Sequence, residues 1–124
     1  MSESPVRVMI VDDQAPFRLA ARMVISRTDG FEVAGEAGSG EESVTRADEL
    51  EPDLVLMDIN MGAMSGIEAA RQIVASHPDT TVFLCSTYSR DDLPPDALDR
   101  GATAYINKEE LGPALLAELW TSRV

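Results

Sequence analysis

One cysteine, Cys85, is all the thiol this chain carries, so no disulfide closes within it and a reducing compartment suits it. Cys85 lies inside an apolar run, which marks a buried structural thiol and not a reactive one. Long hydrophobic runs are also missing: none approaches the ~18 residues of a membrane span. The first residues, Met-Ser-Glu-Ser-Pro, have neither the charged nor the apolar segment of a secretory leader. A soluble, cytoplasmic protein that engages no membrane is expected. Positive charge is scarce as well. Lys plus Arg number 10 against 22 Asp plus Glu, a net charge of −12, which leaves no basic footprint for direct nucleic-acid binding. Among the 10 basic residues Lys108 is the lone lysine. A flexible point-charge ammonium does not substitute for a planar guanidinium, so this position indicates a specific need. The lone histidine, His77, stands before Pro78 where a helix should end, and reads as a surface or capping residue. There is no linker, repeat or low-complexity tract, and 124 residues fit one domain, residues 1–124 with a core of about 5–121.

What is present is a repeating alternation. Val6 to Val11 is an apolar run broken only by Arg7, and it ends in Asp12-Asp13. Pro16 then suits a first helical turn, and Phe17, Ala20, Ala21 and Val24 make a helical stripe that stops before Asp29-Gly30. Phe31 to Glu36 alternates loosely, as a shorter, more exposed edge strand would. Ser39-Gly40 can cap a second helix whose apolar side is Val44, Ala47 and Leu50, and Pro52 stops it. Leu54 to Met57 is unbroken apolar sequence running into Asp58, the pattern of a strand buried on both faces. Ser65 and Glu68 form a capping-box pattern ahead of Ile67, Ala70 and Val74. Val82 to Cys85 is a fourth strand ending in Ser86-Thr87. A fourth helix capped by Asp91 or Asp92 meets Pro94-Pro95 in its first turn and should be late and short. Ala104 to Ile106 is a short fifth strand leading to Asn107-Lys108, and a last helix starts near Gly112-Pro113 and buries Leu115, Leu116 and Leu119. Five strands alternating with five helices imply an α/β, doubly wound parallel sheet covered on both faces.

Asp12-Asp13, Asp58, Ser86 and Lys108 each stand where a strand ends, so a parallel sheet puts them on one edge. At ~4 Å and an effective dielectric near 20, each close carboxylate pair repels by about 4 kcal/mol, and such a pocket invites a cation. The ligands on offer are oxygens, which favours a hard ion such as Mg²⁺ over zinc. An ion, the Lys108 ammonium and the Ser86 hydroxyl together would let a phosphoryl group approach an anionic aspartate.

Over nearly its whole length the chain resembles the receiver domain of two-component response regulators. The matching features are Asp12 and Asp13, Asp58 followed by Met61, Met64 and Gly66, the hydroxyl residue Ser86, and Gly101-Ala102 with Tyr105 and Lys108. The resemblance implies a five-stranded, flavodoxin-like (β/α)5 fold with strand order 2-1-3-4-5. It implies that Asp58 is the phosphoacceptor, charged by a sensor histidine kinase or a phosphotransfer protein. Asp13, Asp58 and the backbone carbonyl of Asn60 would ligate Mg²⁺, with Asp12 acting through water. Lys108 would contact the phosphoryl group, Ser86 would shift towards it, and Tyr105 would follow. That movement would alter the face built from the fourth helix, fifth strand and fifth helix, which speaks to an effector domain, a partner protein or, in a phosphorylation-dependent homodimer, a second copy. The implied protein is a switch that modifies only itself, not an enzyme with turnover. It is either a stand-alone receiver or the receiver of a longer regulator, and Glu109 after the lysine is similar to receivers of helix-turn-helix regulators.

Three positions depart from the family pattern. Gly62 replaces a usual proline, which should loosen the loop carrying Asn60. Thr87 replaces a smaller residue and should narrow access to the site, while Asn60 and Tyr88 occupy positions that tune phosphoryl loss. Pro94-Pro95 falls in the partner-contacting segment. Two other classes fit the fold less well. A flavin carrier needs a phosphate loop where Asp12-Asp13 would repel the phosphate, and an aspartate-nucleophile phosphatase would have to turn over an external ester.

Overall fold

The computed structural model describes residues 4–87 and 101–123. Strand β1 is Val6–Val11, β2 Phe31–Ala37, β3 Leu54–Asp58, β4 Thr81–Ser86 and β5 Ala102–Asn107. Helices α1 (Ala15–Ser26), α2 (Gly40–Leu50) and α3 (Gly66–Ser76) follow β1, β2 and β3, and α4 (Pro113–Ser122) is the helix expected last in the chain. The short fourth helix expected around Pro94-Pro95 lies outside the described residues, as does Tyr88.

The sheet is parallel throughout, in the order β2-β1-β3-β4-β5. Strand β3 is its centre, flanked by β1 and β4, and alternation of side chains sends their residues to opposite layers. Met9, Val11, Val55, Met57, Val82 and Leu84 pack beneath Ala47 of α2 and Ala69, Ala70 and Ile73 of α3. Val8, Ile10, Leu54, Leu56, Phe83, Cys85 and Ile106 pack on the other side against Ala21 and Ile25 of α1 and Leu116 of α4. Every residue of β3 is buried, as an apolar run without a polar break requires. Burying each of the larger aliphatic side chains contributes about 1.5 to 3 kcal/mol.

Local chemistry places the helix starts. Ser39 accepts the Glu42 N–H at 3.0 Å and Ser65 accepts the Glu68 N–H at 3.2 Å, while Pro16 and Pro113 occupy first-turn positions that need no donor. Glu68 then reaches forward to Arg71 and Gln72.

Three expectations need correction. Strand β2 is half-buried as an edge strand should be, yet at 7 residues it is not short, because a register shift between Val8 and Met9 adds a residue to it. Strand β5 runs from Ala102 instead of Ala104, also with an irregular register against β4. Of the leucines expected to be buried in the last helix, Leu116 is fully buried, whereas Leu115 and Leu119 are half-buried.

Candidate functional site

The carboxyl ends of β1, β3, β4 and β5 meet on one edge, and the sheet order sets the ends of β1 and β3 side by side. Asp12 leaves β1 fully buried. Its Oδ1 accepts the Gln14 N–H at 2.8 Å, which closes a local turn, and its Oδ2 lies 2.6 Å from Lys108 Nζ. Asp13, next in the chain, is exposed. Asp58 ends β3 at 7% exposure, its Oδ1 accepting the Ile59 N–H at 2.9 Å and lying 3.5 Å from Lys108 Nζ. One carboxylate oxygen from each of Asp12, Asp13 and Asp58 falls within 4.8 Å of the others.

Lys108 enters from the end of β5, where the short 3-10 turn Lys108–Glu110 is capped by Asn107, whose side-chain oxygen accepts the Glu109 N–H at 2.9 Å. Its ammonium also lies 4.4 Å from the centre of the Phe17 ring, a cation–π contact that shields one side of it. Burial opposes charge on Lys108, but the hydrogen bond to Asp12 and the negative charges of Asp58 and Asp12 outweigh it and raise its pKa. Asp58 moves up too. Burial, reinforced by the Asp12 charge, pushes its carboxyl from 3.8 to about 6 against the opposing pull of Lys108 and the Ile59 N–H.

The donor set fits a hard divalent cation. Its members are carboxylate oxygens drawn close together, and one lysine balances only part of their charge. Cys85, next to Asp58 across the β3–β4 pair, offers no thiolate, because burial pushes its thiol up to about 12. Asn60 lies two residues beyond Asp58 on the exposed loop that would carry its carbonyl.

Ser86 ends β4 at 3% exposure, and its backbone carbonyl accepts the Tyr105 hydroxyl at 3.0 Å. Tyr105 is turned inward and buried. Thr87 is exposed. Two glycines shape the turn after Asp58. The Gly66 N–H donates to Ile59 O at 2.7 Å, and a Cβ on Gly66 would come within 1.7 Å of the Asp58 carbonyl oxygen, so no side chain fits there. Gly62 has φ +80°, a left-handed conformation closed to proline, whose ring holds φ near −65°.

Two contributors escaped the sequence reading. Phe17 carries the stripe of α1 but also faces Lys108. Arg18 donates from Nη1 to the Asp12 backbone carbonyl at 2.7 Å and from Nε to Glu36 at 3.1 Å. No local pattern marks the Phe17–Lys108 and Arg18–Glu36 pairs, because their partners come from other segments of the chain, and the Arg18 contact with the Asp12 carbonyl six residues back follows no regular helical or turn spacing. His77 does cap the end of α3, and its Nε2 lies 2.7 Å from Asp48 of α2, which is not one of the three clustered aspartates.

Comparison with known proteins agrees on one family. A family model described as "Response regulator receiver domain" matches residues 8–119. The response regulator GacA of Pseudomonas viridiflava is 41% identical over 103 residues, 83% of this chain and 48% of that protein. The chemotaxis protein CheY of Thermotoga maritima is 40% identical over 102 residues, 82% of this chain and 84% of that protein. The solved response regulator domain of Thermotoga maritima CheB superposes with a TM-score of 0.83 at 29% identity, covering 96% of both chains. The chain thus spans about half the length of GacA and most of CheY.

Proposed function

The chain belongs to the response regulator receiver domain family, and from that premise we propose that Asp58 accepts a phosphoryl group and switches the domain. The observation that carries this reading is the buried Asp58 carboxylate, with Asp12 and Asp13 oxygens within 4.8 Å and the Lys108 ammonium at 3.5 Å. The donor is a phosphohistidine of a sensor histidine kinase or phosphotransfer protein. An Asp58 oxygen attacks phosphorus, the P–N bond breaks, the imidazole nitrogen leaves and takes up a proton, and an acyl phosphate remains. In the site without a cation, burial and the Asp12 charge raise the Asp58 carboxyl to about 6, which still leaves it mostly ionised at pH 7.

A Mg²⁺ ion held by Asp13, Asp58 and the Asn60 carbonyl, with Asp12 through water, would offset the charge gathered on the transferring group. Lys108 contacts the phosphoryl oxygens as a point charge. Ser86 shifts towards them, and its carbonyl bond to Tyr105, 3.0 Å long here, is the contact that shift disturbs. Tyr105 then repacks, and the face that includes β5 and α4 changes its affinity for an effector domain, a partner protein or a second copy. Residues 1–124 act as one receiver unit in the cytoplasm, modifying only itself and turning over no external substrate.

Intact mass after incubation with Mg²⁺ and a small acyl-phosphate donor tests this reading. One added phosphoryl group is expected, absent in Asp58→Asn. No adduct with any donor, a histidine kinase included, would sink it.

A further inference from the structure

We propose that Arg18 is a positioning residue for the cation site, holding the Asp12–Asp13 peptide so that Asp13 is aimed at the ion. This inference rests on the phosphoacceptor reading above. The Asp12 carbonyl that Arg18 Nη1 grips at 2.7 Å belongs to the amide joining Asp12 to Asp13. Fixing that amide plane fixes the Asp13 nitrogen and Cα. Asp13 is exposed, so its aim depends on its backbone far more than on packing.

Arg18 is itself anchored. Its Nε meets Glu36 Oε1 at 3.1 Å, and Arg22 Nη1 holds the other Glu36 oxygen at 2.8 Å. Glu36 lies in β2, paired with Ile10 of β1, and the adjacent Ala37 carbonyl accepts the Asp12 N–H at 3.1 Å. The Asp12 backbone is therefore held on its donor side by β2 and on its acceptor side by a guanidinium that β2 anchors. On the side chain, Oδ1 is tied to Gln14 and Oδ2 to Lys108. A planar fork can serve the carbonyl and the carboxylate at once, whereas a lysine ammonium reaches one of them. Groups one shell removed from metal ligands set ligand orientation in this way.

The test is calorimetric titration with Mg²⁺ alone, alongside thermal melting in chelator. Arg18→Met is expected to weaken Mg²⁺ binding by about tenfold, while melting in chelator changes little and Arg18→Lys recovers part of the loss. Glu36→Gln, a milder change should Arg18→Met fold poorly, is expected to weaken binding in the same direction, and the double variant to be no weaker than Arg18→Met. Wild-type affinity in both single variants would overturn the proposal and leave the phosphoacceptor reading intact. Loss of affinity that only tracks loss of stability in chelator, with no recovery by lysine, would overturn it as well. A wild-type protein that neither binds Mg²⁺ nor gains a phosphoryl group would overturn both.

Discussion

Asp58 is costly to the fold in the absence of a cation, because its carboxyl is easier to bury neutral than charged. Its folded pKa, about 6, lies above the ordinary 3.8. The associated stability is therefore fully present below the unfolded value and is lost as pH rises through about 6. At pH 7.5 in chelator, Asp58→Asn should exceed the wild type in stability by about 2 to 3 kcal/mol, a gap that narrows as pH falls through about 6 and closes near 3.8. Urea denaturation at the two pH values measures this, and a variant no more stable than wild type at pH 7.5 contradicts it. Lys108 has the opposite role. It is the described ion-pair partner of the fully buried Asp12 Oδ2. Lys108→Met leaves that charge uncompensated and should cost about 3 kcal/mol. Lys108→Arg keeps the charge but not the shape, so we expect most of the stability retained and phosphoryl uptake slowed by about 10². Stability from melting and uptake by mass spectrometry separate the two effects.

At the scale of elements, the junction between β3 and α3 carries the tightest constraint. α3 begins at Gly66, against the Asp58 carbonyl, and a methyl group there would meet a backbone oxygen that cannot turn aside. Gly66→Ala should cost at least about 3 kcal/mol or leave the protein insoluble. Normal expression and melting of that variant would show the junction to be more yielding than its geometry indicates. Gly62, a few residues earlier, has open space around its Cβ position but a positive φ. Gly62→Ala should cost about 1 kcal/mol through backbone conformation alone. Gly62→Pro, which restores the usual family residue, should cost more, because it forces φ to change sign. The order of the two melting temperatures decides this.

For the molecule as a whole, the acidic pocket adds to a formal net charge of −12. Both the local cluster and the wider field favour a bound divalent cation. At Mg²⁺ near a hundredfold above its dissociation constant, linkage predicts about 2.7 kcal/mol of added stability. Potassium chloride at matched ionic strength should supply much less, and Asp13→Asn should remove the difference. An equal shift from both salts would assign the effect to general screening. No described helix is long and apolar enough to cross a membrane.

The division between sequence and structure follows from the range over which each physical constraint acts. Apolar runs ending in Asp12-Asp13, Asp58 and Ser86 located strands β1, β3 and β4 and put their chemistry at the strand ends. Ser39, Ser65, Pro16 and Pro113 marked helix starts for reasons confined to a single turn. Those features depend on neighbours a few residues apart, so they are written in the order of the residues. The strand order came from resemblance and not from periodicity, since nothing in an alternating run says which strand lies beside it. The same holds for the Phe17 ring over Lys108, the Arg18 bridge to Glu36 and the His77 contact with Asp48. Each joins segments far apart in the chain, and the sheet order and helix packing alone bring them together. The left-handed Gly62 shows the boundary within one residue: sequence marks the missing proline, and the folded loop decides that a proline there would have to reverse φ.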